Sequence, residues 1–202
     1  IQFENIKIFH LPNASIYACL NFGIKKSSGE IINIMGDDDR YFNNKIFSKI
    51  SDYFNKSIDY VYGDTLYEKN KKLKRFYKSF DLNKNFMRIG YMPSHTSLFL
   101  LKKVYNDLGE YNLKYLIASD LDYFFRLYNN KKLNYVYTGE IISIMSMGGI
   151  SNKSYTNLIK SNLEAYKILK KYKYSLASFR ILFKLFFKLY LKLFFSIKYL
   201  NS

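Results

Sequence analysis

The sequence holds one cysteine, Cys19, two prolines, and half as many acidic residues (16) as lysines and arginines (32). A single thiol excludes an internal disulfide and fits a reducing compartment. No basic-then-apolar leader opens the chain, which starts at Ile1 rather than at methionine. "IQFENIKIFHLP" reads like the middle of a domain, and we expect a fragment or a processed product. Uncharged apolar runs are too short for a transmembrane span, and no internal repeat is visible. What is abundant is apolar and aromatic: hydrophobic residues make up 49% and aromatics 19% of the 202 residues, which excludes a disordered polar chain. That length accommodates one core with an appendage.

The formal net charge of +16 fits a polyanionic partner such as nucleic acid, anionic lipid or a sugar diphosphate. Lys, Asn, Ile, Tyr and Phe are all frequent together, however, as an A/T-rich coding sequence would make them. For most of the lysines that compositional reading is preferred.

Along the chain, "IKIFHL" alternates like a short strand and Pro12 ends it. In "SIYACLNFGIKK", Ile16, Leu20 and Ile24 recur every four residues beside Tyr17, the pattern of a helix with one apolar face. "GEIINIM" reads as a buried strand, and it runs straight into Asp37, Asp38 and Asp39. Open α/β sheets bind ligands at such strand ends. An acidic turn before the next helix is the plain alternative.

That helix is predicted over "NNKIFSKISDYF", followed by a strand in "SIDYVYGD" and a solvated hairpin or loop in "EKNKKLKRFYK". "MPSHTSLFL" reads as a strand, with Pro93 tolerated at its start, and "KKVYNDLGEYN" as a short helix stopped at Gly109. "SDLDYFFRLYN" is a helix with Ser119 as N-cap and Asp120 and Asp122 in its first turn. "NYVYTGEIISIMSMGGIS" is a strand and a glycine turn. This alternation predicts an α/β fold with a mostly parallel sheet flanked by helices.

The tail, residues 178–200, is rich in Phe and Leu, with Lys184, Lys188 and Lys192 spaced by four on one helical stripe. We expect a basic amphipathic helix lying in a membrane interface, its lysines facing lipid phosphates. A core-packing helix is the alternative.

Taken together, "YACLNFGIKKSSGEIINIMGDDDRY", "DYVYGD", "MPSHTSLFLLKKVYNDLGEYN", "ASDLDYFFRL" and "MGGIS" resemble the inverting, GT-A-type glycosyltransferases of family two, in particular bacterial enzymes of surface-polysaccharide assembly. The resemblance covers residues 8–152. It implies a partial GT-A (Rossmann-like) catalytic domain over 1–153, lacking the family's first strand and helix, and a helical, membrane-interfacial extension over 154–202.

The implied reaction is hexosyl transfer from a nucleotide-sugar, usually a UDP-sugar, to a hydroxyl of a glycan or lipid-linked acceptor, with inversion. By matching positions, Asp38 contacts a Mg²⁺ or Mn²⁺ ion, Asp39 supports it as a second metal carboxylate, and Asp37 approaches the ribose. Gly36 stands where the family usually has Asn or Asp. Asp120 is the implied general base. His95 lies near the donor or acceptor pocket, and Gly148 and Gly149 offer bare backbone to phosphate. Asp64 either shapes the sugar pocket or forms a turn. The implied location is cytoplasmic, at the inner face of the cell membrane, with no nucleic-acid partner. An inactive truncated remnant and a basic module for anionic lipid or nucleic acid are the alternatives.

Overall fold

The computed structural model describes residues 6–84, 86–147 and 155–200, the last segment with side chains as far as Leu191. Gly148 and Gly149 lie outside the described residues.

Helix α1, Ile16–Lys26, begins at Ser15, whose Oγ accepts from Ala18 N, and ends with Lys25 and Lys26 at its negative pole. Its buried positions are Tyr17 and Asn21, with Leu20 and Ile24 packed beside them and Ile16 exposed. Strand β1 (Ile31–Asn33) leads through the acidic turn to the two-residue β2 (Arg40–Tyr41). Helix α2, Ile46–Phe54, buries Ile46 and Ile50 one turn apart.

The long strand β3 (Tyr60–Lys69) returns as β4 (Lys72–Tyr77) through Asn70 and Lys71, both with positive φ (51° and 58°). That is the two-residue hairpin geometry whose twist matches the flanking strands, and it makes the basic stretch a paired hairpin. Strand β5 (Leu98–Leu101) runs into α3 (Lys102–Leu108), stopped by Gly109 at φ 78°. Helix α4 (Ser119–Asn129), strand β6 (Tyr135–Ser146) and helices α5 (Tyr155–Lys171) and α6 (Ala177–Leu200) complete the described elements.

The strand order is β1-β5-β3-β6-β2, with β4 also on β3. Four of the described pairings are antiparallel and one, β3 with β6, is parallel, so the expected mostly parallel sheet is corrected to a mixed one. The alternation rule assumes that each strand returns by a helical crossover. Here a tight hairpin joins β3 to β4 on one edge of β3, and β5 takes the remainder of that edge in the opposite direction. The expected strand over residues 6–11 is also absent: no pairing forms there, and Ile8 is 89% exposed. In "MPSHTSLFL" only the last residues are strand, and His95–Ser97 form a 3-10 turn.

Tyrosines fill much of the interior. Tyr60 stacks on Tyr135 and Tyr62 on Tyr137, each pair with ring centroids 5.3 Å apart, across the parallel pairing of β3 and β6. Helix α5 adds Ala165, Ile168 and Leu169 to the same core that holds Leu121, Phe124 and Phe125 of α4.

Helix α6 faces the opposite way from the expected one. Lys184 is only 9% exposed and Lys188 is half-buried, whereas Phe179, Leu182, Phe183, Leu185, Phe186 and Leu189 are exposed. Its inner face also carries Phe187, packed on Phe86 at 5.1 Å and on Tyr91 at 5.4 Å, and Leu191 in the same cluster. Among described residues no helix is long and apolar enough to cross a membrane.

Candidate active site

The three aspartates form a tight turn between β1 and β2. Asp39 N donates to Gly36 O at 3.3 Å, and the Asp39 carboxylate folds back to accept from Gly36 N at 3.3 Å. A Cβ at position 36 would stand 2.7 Å from Asp39 Oδ2, so the glycine is what lets the carboxylate close on its own turn. The other Asp39 oxygen accepts from Ser146 N at 3.0 Å, while Ser146 Oγ donates to Asp38 O at 2.8 Å. The end of β6 thereby fixes the turn.

Asp37 and Asp38 are exposed, and among the described residues no hydrogen bond to the Asp38 carboxylate is formed. Asp39 is half-buried. Burial pushes its carboxyl above the ordinary value, the Ser146 N–H opposes that shift, the Asp38 charge adds to it, and His95 and Gly36 N–H pull back.

Asp120 stands in the first turn of α4, half-buried, its Oδ1 accepting from Leu121 N at 2.8 Å. Burial raises its basicity, offset by His95, the Leu121 N–H, Tyr17 and Lys184. The expected Ser119 cap is corrected: Ala118 is the N-cap residue, with no side-chain cap, and Ser119 Oγ is buried without a partner.

The capping comes from elsewhere in the chain. Glu164 of α5 accepts from Leu116 N, Ile117 N and Ala118 N at 2.8–2.9 Å, so a carboxylate from another helix meets the positive end of α4. Tyr17 of α1 donates its hydroxyl to Ile117 O at 2.7 Å and accepts from Asp120 N at 3.4 Å. Asp122 turns away from this point: 1% exposed, it ion-pairs with Lys171 of α5 at 2.7 Å and with Arg126 at 3.4 Å.

His95 is near enough to both acidic groups to lower the carboxyl of each, Asp39 and Asp120. Its turn is held by buried hydroxyls: Ser94 bonds Thr96 at 3.1 Å, Thr96 bonds Ser143 at 2.8 Å, and Ser143 bonds Thr65 at 2.9 Å. Tyr67 of β3 also senses both carboxylates; burial raises its hydroxyl, Arg75 lowers it, and Asp39 and Asp120 raise it further.

Asp39 and Asp120 thus share one neighbour, His95, the three groups coming from separate elements. Asp64 is not among them. It is 2% exposed within β3 and accepts from Ser79 N at 2.7 Å and from Tyr137 Oη at 2.9 Å, so it is neither a turn residue nor open to a ligand.

Sequence reasoning missed Glu164 and Arg75, read Tyr17 only as part of an apolar helix face, and assigned Lys184 and Lys188 to lipid phosphates rather than to the neighbourhood of Asp120. Their partners are remote in the chain. A separate groove of about 540 Å³ between β1 and α2, lined by Asn33, Tyr41, Phe47 and Phe99 among others, contains none of the predicted site residues.

The donor set bears on a metal. Among the described residues there is no group of three or more His, Cys, Asp or Glu suited to hold an ion. One unbonded carboxylate, Asp38, beside one anchored carboxylate, Asp39, nevertheless fits Mg²⁺ or Mn²⁺, which take one or two protein oxygens and share the rest with phosphate and water.

No family model matches the chain. It is 24% identical over 152 residues to the "PGL/p-HBAD biosynthesis glycosyltransferase" of Mycobacterium bovis (strain BCG / Pasteur 1173P2), a match covering 74% of this chain and 58% of that protein. It is 25% identical over 134 residues to an "Uncharacterized glycosyltransferase" of Rickettsia felis, covering 61% of this chain and 22% of the relative. Among solved structures, S. aureus TarS superposes on 72% of this chain and 26% of its own, with 13% identity and a TM-score of 0.47. The chain therefore spans about 58% of the mycobacterial relative's length, and by sequence it is a relative of proteins named glycosyltransferases.

Proposed function

We propose that this chain carries catalytic residues of a GT-A-type inverting glycosyltransferase that moves a sugar from a nucleotide-sugar, a UDP-sugar in our reading, to an acceptor hydroxyl in glycan synthesis. The observation that carries the proposal is that Asp39 and Asp120, from separate stretches of sequence, both feel His95 from a third.

Asp120 is the general base. The acceptor oxygen attacks the anomeric carbon as its proton passes to the Asp120 carboxylate, and the carbon–oxygen bond to the diphosphate breaks with the electron pair leaving on the diphosphate. A base must be ionised before the reaction and basic during it. Burial supplies the second property, and the hydrogen bond from Leu121 N keeps the carboxylate oriented. Asp38 and Asp39 would hold a Mg²⁺ or Mn²⁺ ion, which supplies charge neutralisation to the departing diphosphate when bound. Asp37, exposed at the corner of the turn, suits a contact to the ribose, and His95 a contact to donor or acceptor.

The location proposed is the inner face of a membrane. The apolar outer face of α6, with Phe183 and Phe186 exposed, supports burial in a lipid interface, with the apolar face rather than the lysine stripe turned to lipid.

Calorimetric titration of UDP into the 202-residue chain, with and without Mn²⁺ and with Asp38→Ala as control, tests the donor site. Metal-dependent binding lost in the variant is the expected result. Binding that falls steeply with salt and ignores both Mn²⁺ and Asp38 would replace this reading with that of a basic anion-binding module.

A further inference from the structure

Helix α6 turns two ammonium groups inward while leaving six or more large apolar side chains in solvent. This reverses the ordinary preference, because burying an unpaired charge is far more costly than exposing a leucine. Lys184 and Lys188 are one turn apart and lie against the hairpin strand β4, which contributes Arg75. The Lys184 side chain reaches the backbone at Gly90, where a Cβ would stand 3.9 Å from Nζ.

No carboxylate lies within ion-pair distance of Arg75, Lys184 or Lys188 among the described residues. Arg75 lies over the rings of Tyr67 and Tyr77 at 5.4 and 5.2 Å, and its Nε is buried without a hydrogen-bond partner. Asp120 is the one acid that both lysines feel, and it is shared between them. Three cations from two packed elements thus cluster beside one carboxylate, Lys184 buried and Arg75, Lys188 and Asp120 half-buried.

We propose that Arg75, Lys184 and Lys188 form a binding subsite for a phosphate or diphosphate group beside Asp120. The proposal deepens the transferase reading and rests on it for the role of Asp120. A phosphate offers several acceptor oxygens to a planar guanidinium and two ammoniums, and would satisfy donors that have no protein partner. The mutual repulsion supports the same conclusion: burial, then Lys184 and Arg75, push Lys188 down to about 7, and burial lowers Lys184. An anion arriving there reverses both shifts. Two sources share this chemistry: the diphosphate of the donor, and a phosphate carried by a lipid acceptor.

The test is calorimetry on the whole chain with three probes, inorganic pyrophosphate, UDP and dodecyl phosphate, all in metal-free buffer. Lys184→Met, Lys188→Met and Arg75→Met are compared with the charge-preserving Lys184→Arg. Each neutral variant removes a buried charge and keeps the side-chain length, so the fold is retained, which circular dichroism verifies. The expected result is that each neutral variant weakens at least one probe by about tenfold or more, the scale of one charge-assisted hydrogen bond, while Lys184→Arg retains binding. Loss for pyrophosphate and UDP assigns the subsite to the donor. Loss for dodecyl phosphate alone assigns it to a lipid-borne acceptor. If folded variants bind all three probes as the parent does, or the parent binds none of them, the subsite is overturned. Mn²⁺-dependent UDP binding through Asp38 is read in a separate titration, so failure of the subsite and failure of the transferase reading give different results.

Discussion

The carboxylate of Glu164 accepts a hydrogen bond from the backbone of Ala118 at 2.8 Å, across 46 residues of chain. The same carboxylate takes the N–H groups of Leu116 and Ile117, so it satisfies three donors just before the helix that begins with Ser119 and Asp120. At 7% exposure it has little access to water as an alternative partner. Removing it strands the buried Ala118 N–H at about 1–3 kcal/mol, with less from the more accessible Leu116 and Ile117 N–H groups, and the melting point of a chain this size falls by roughly 2–4 °C per kcal/mol. Glu164→Ala is therefore expected to melt several degrees lower by circular dichroism. Glu164→Gln should lose less, since its amide still offers one acceptor oxygen.

Replacing Asp120 with Asn keeps the size and the hydrogen bond from Leu121 N but removes the base. UDP binding in the presence of Mn²⁺ should be unchanged, and sugar transfer should fall by about 10²–10⁴-fold. Equal activity in the variant would move the base elsewhere.

Asp38 and Asp39 separate two effects. Asp38→Ala should abolish Mn²⁺-dependent UDP binding with little change in melting point, because its carboxylate accepts no hydrogen bond among the described residues. Asp39→Ala should cost binding and also about 1–2 kcal/mol of stability, since Ser146 N and Gly36 N lose their acceptor. Chelation with EDTA should reproduce the binding loss of Asp38→Ala in the parent protein.

Lys188 gives a sign to the pH dependence. Its folded value lies near 7, below the ordinary value of 10.5, because of burial first and then the charges of Lys184 and Arg75, with Asp120 opposing. Between these two values the unfolded chain binds more protons than the folded one, so stability rises with pH across that window and is lost as pH falls through 7. Urea unfolding at pH 6.5 and pH 9 should show the parent more stable at the higher pH. Lys188→Met should reduce that difference.

Local signals carried the helices. Ile46 and Ile50 one turn apart marked α2, and Gly109 marked the end of α3, because period and stop are written within a few residues. The direction of the strands was not legible. Nothing inside "SIDYVYGD" distinguishes a strand that will pair in parallel with Tyr135–Ser146 from one that will pair antiparallel with its neighbours; that choice depends on contacts some 75 residues apart. The orientation of α6 was equally hidden. A helix apolar around most of its circumference has no unique inner face, and the packing of Phe187 against Phe86 and Tyr91 turned the lysine stripe inward. The acidic turn was visible as a cluster, but its anchoring by Ser146, and the caps on Asp120's helix from Glu164 and Tyr17, join residues that no window on the sequence contains together.

The stacked tyrosines of β3 and β6 have a spectroscopic consequence. The chain contains 21 tyrosines and no tryptophan, so no indole dominates its near-ultraviolet signal. Tyr60, Tyr62, Tyr135 and Tyr137 form a chiral array of coupled phenol chromophores that exists only while the two strands hold their parallel register. Tyrosine stacking at the centre of the sheet therefore contributes to an intrinsic near-ultraviolet signal of the folded chain, together with the Tyr105, Tyr111 and Tyr123 cluster beside it.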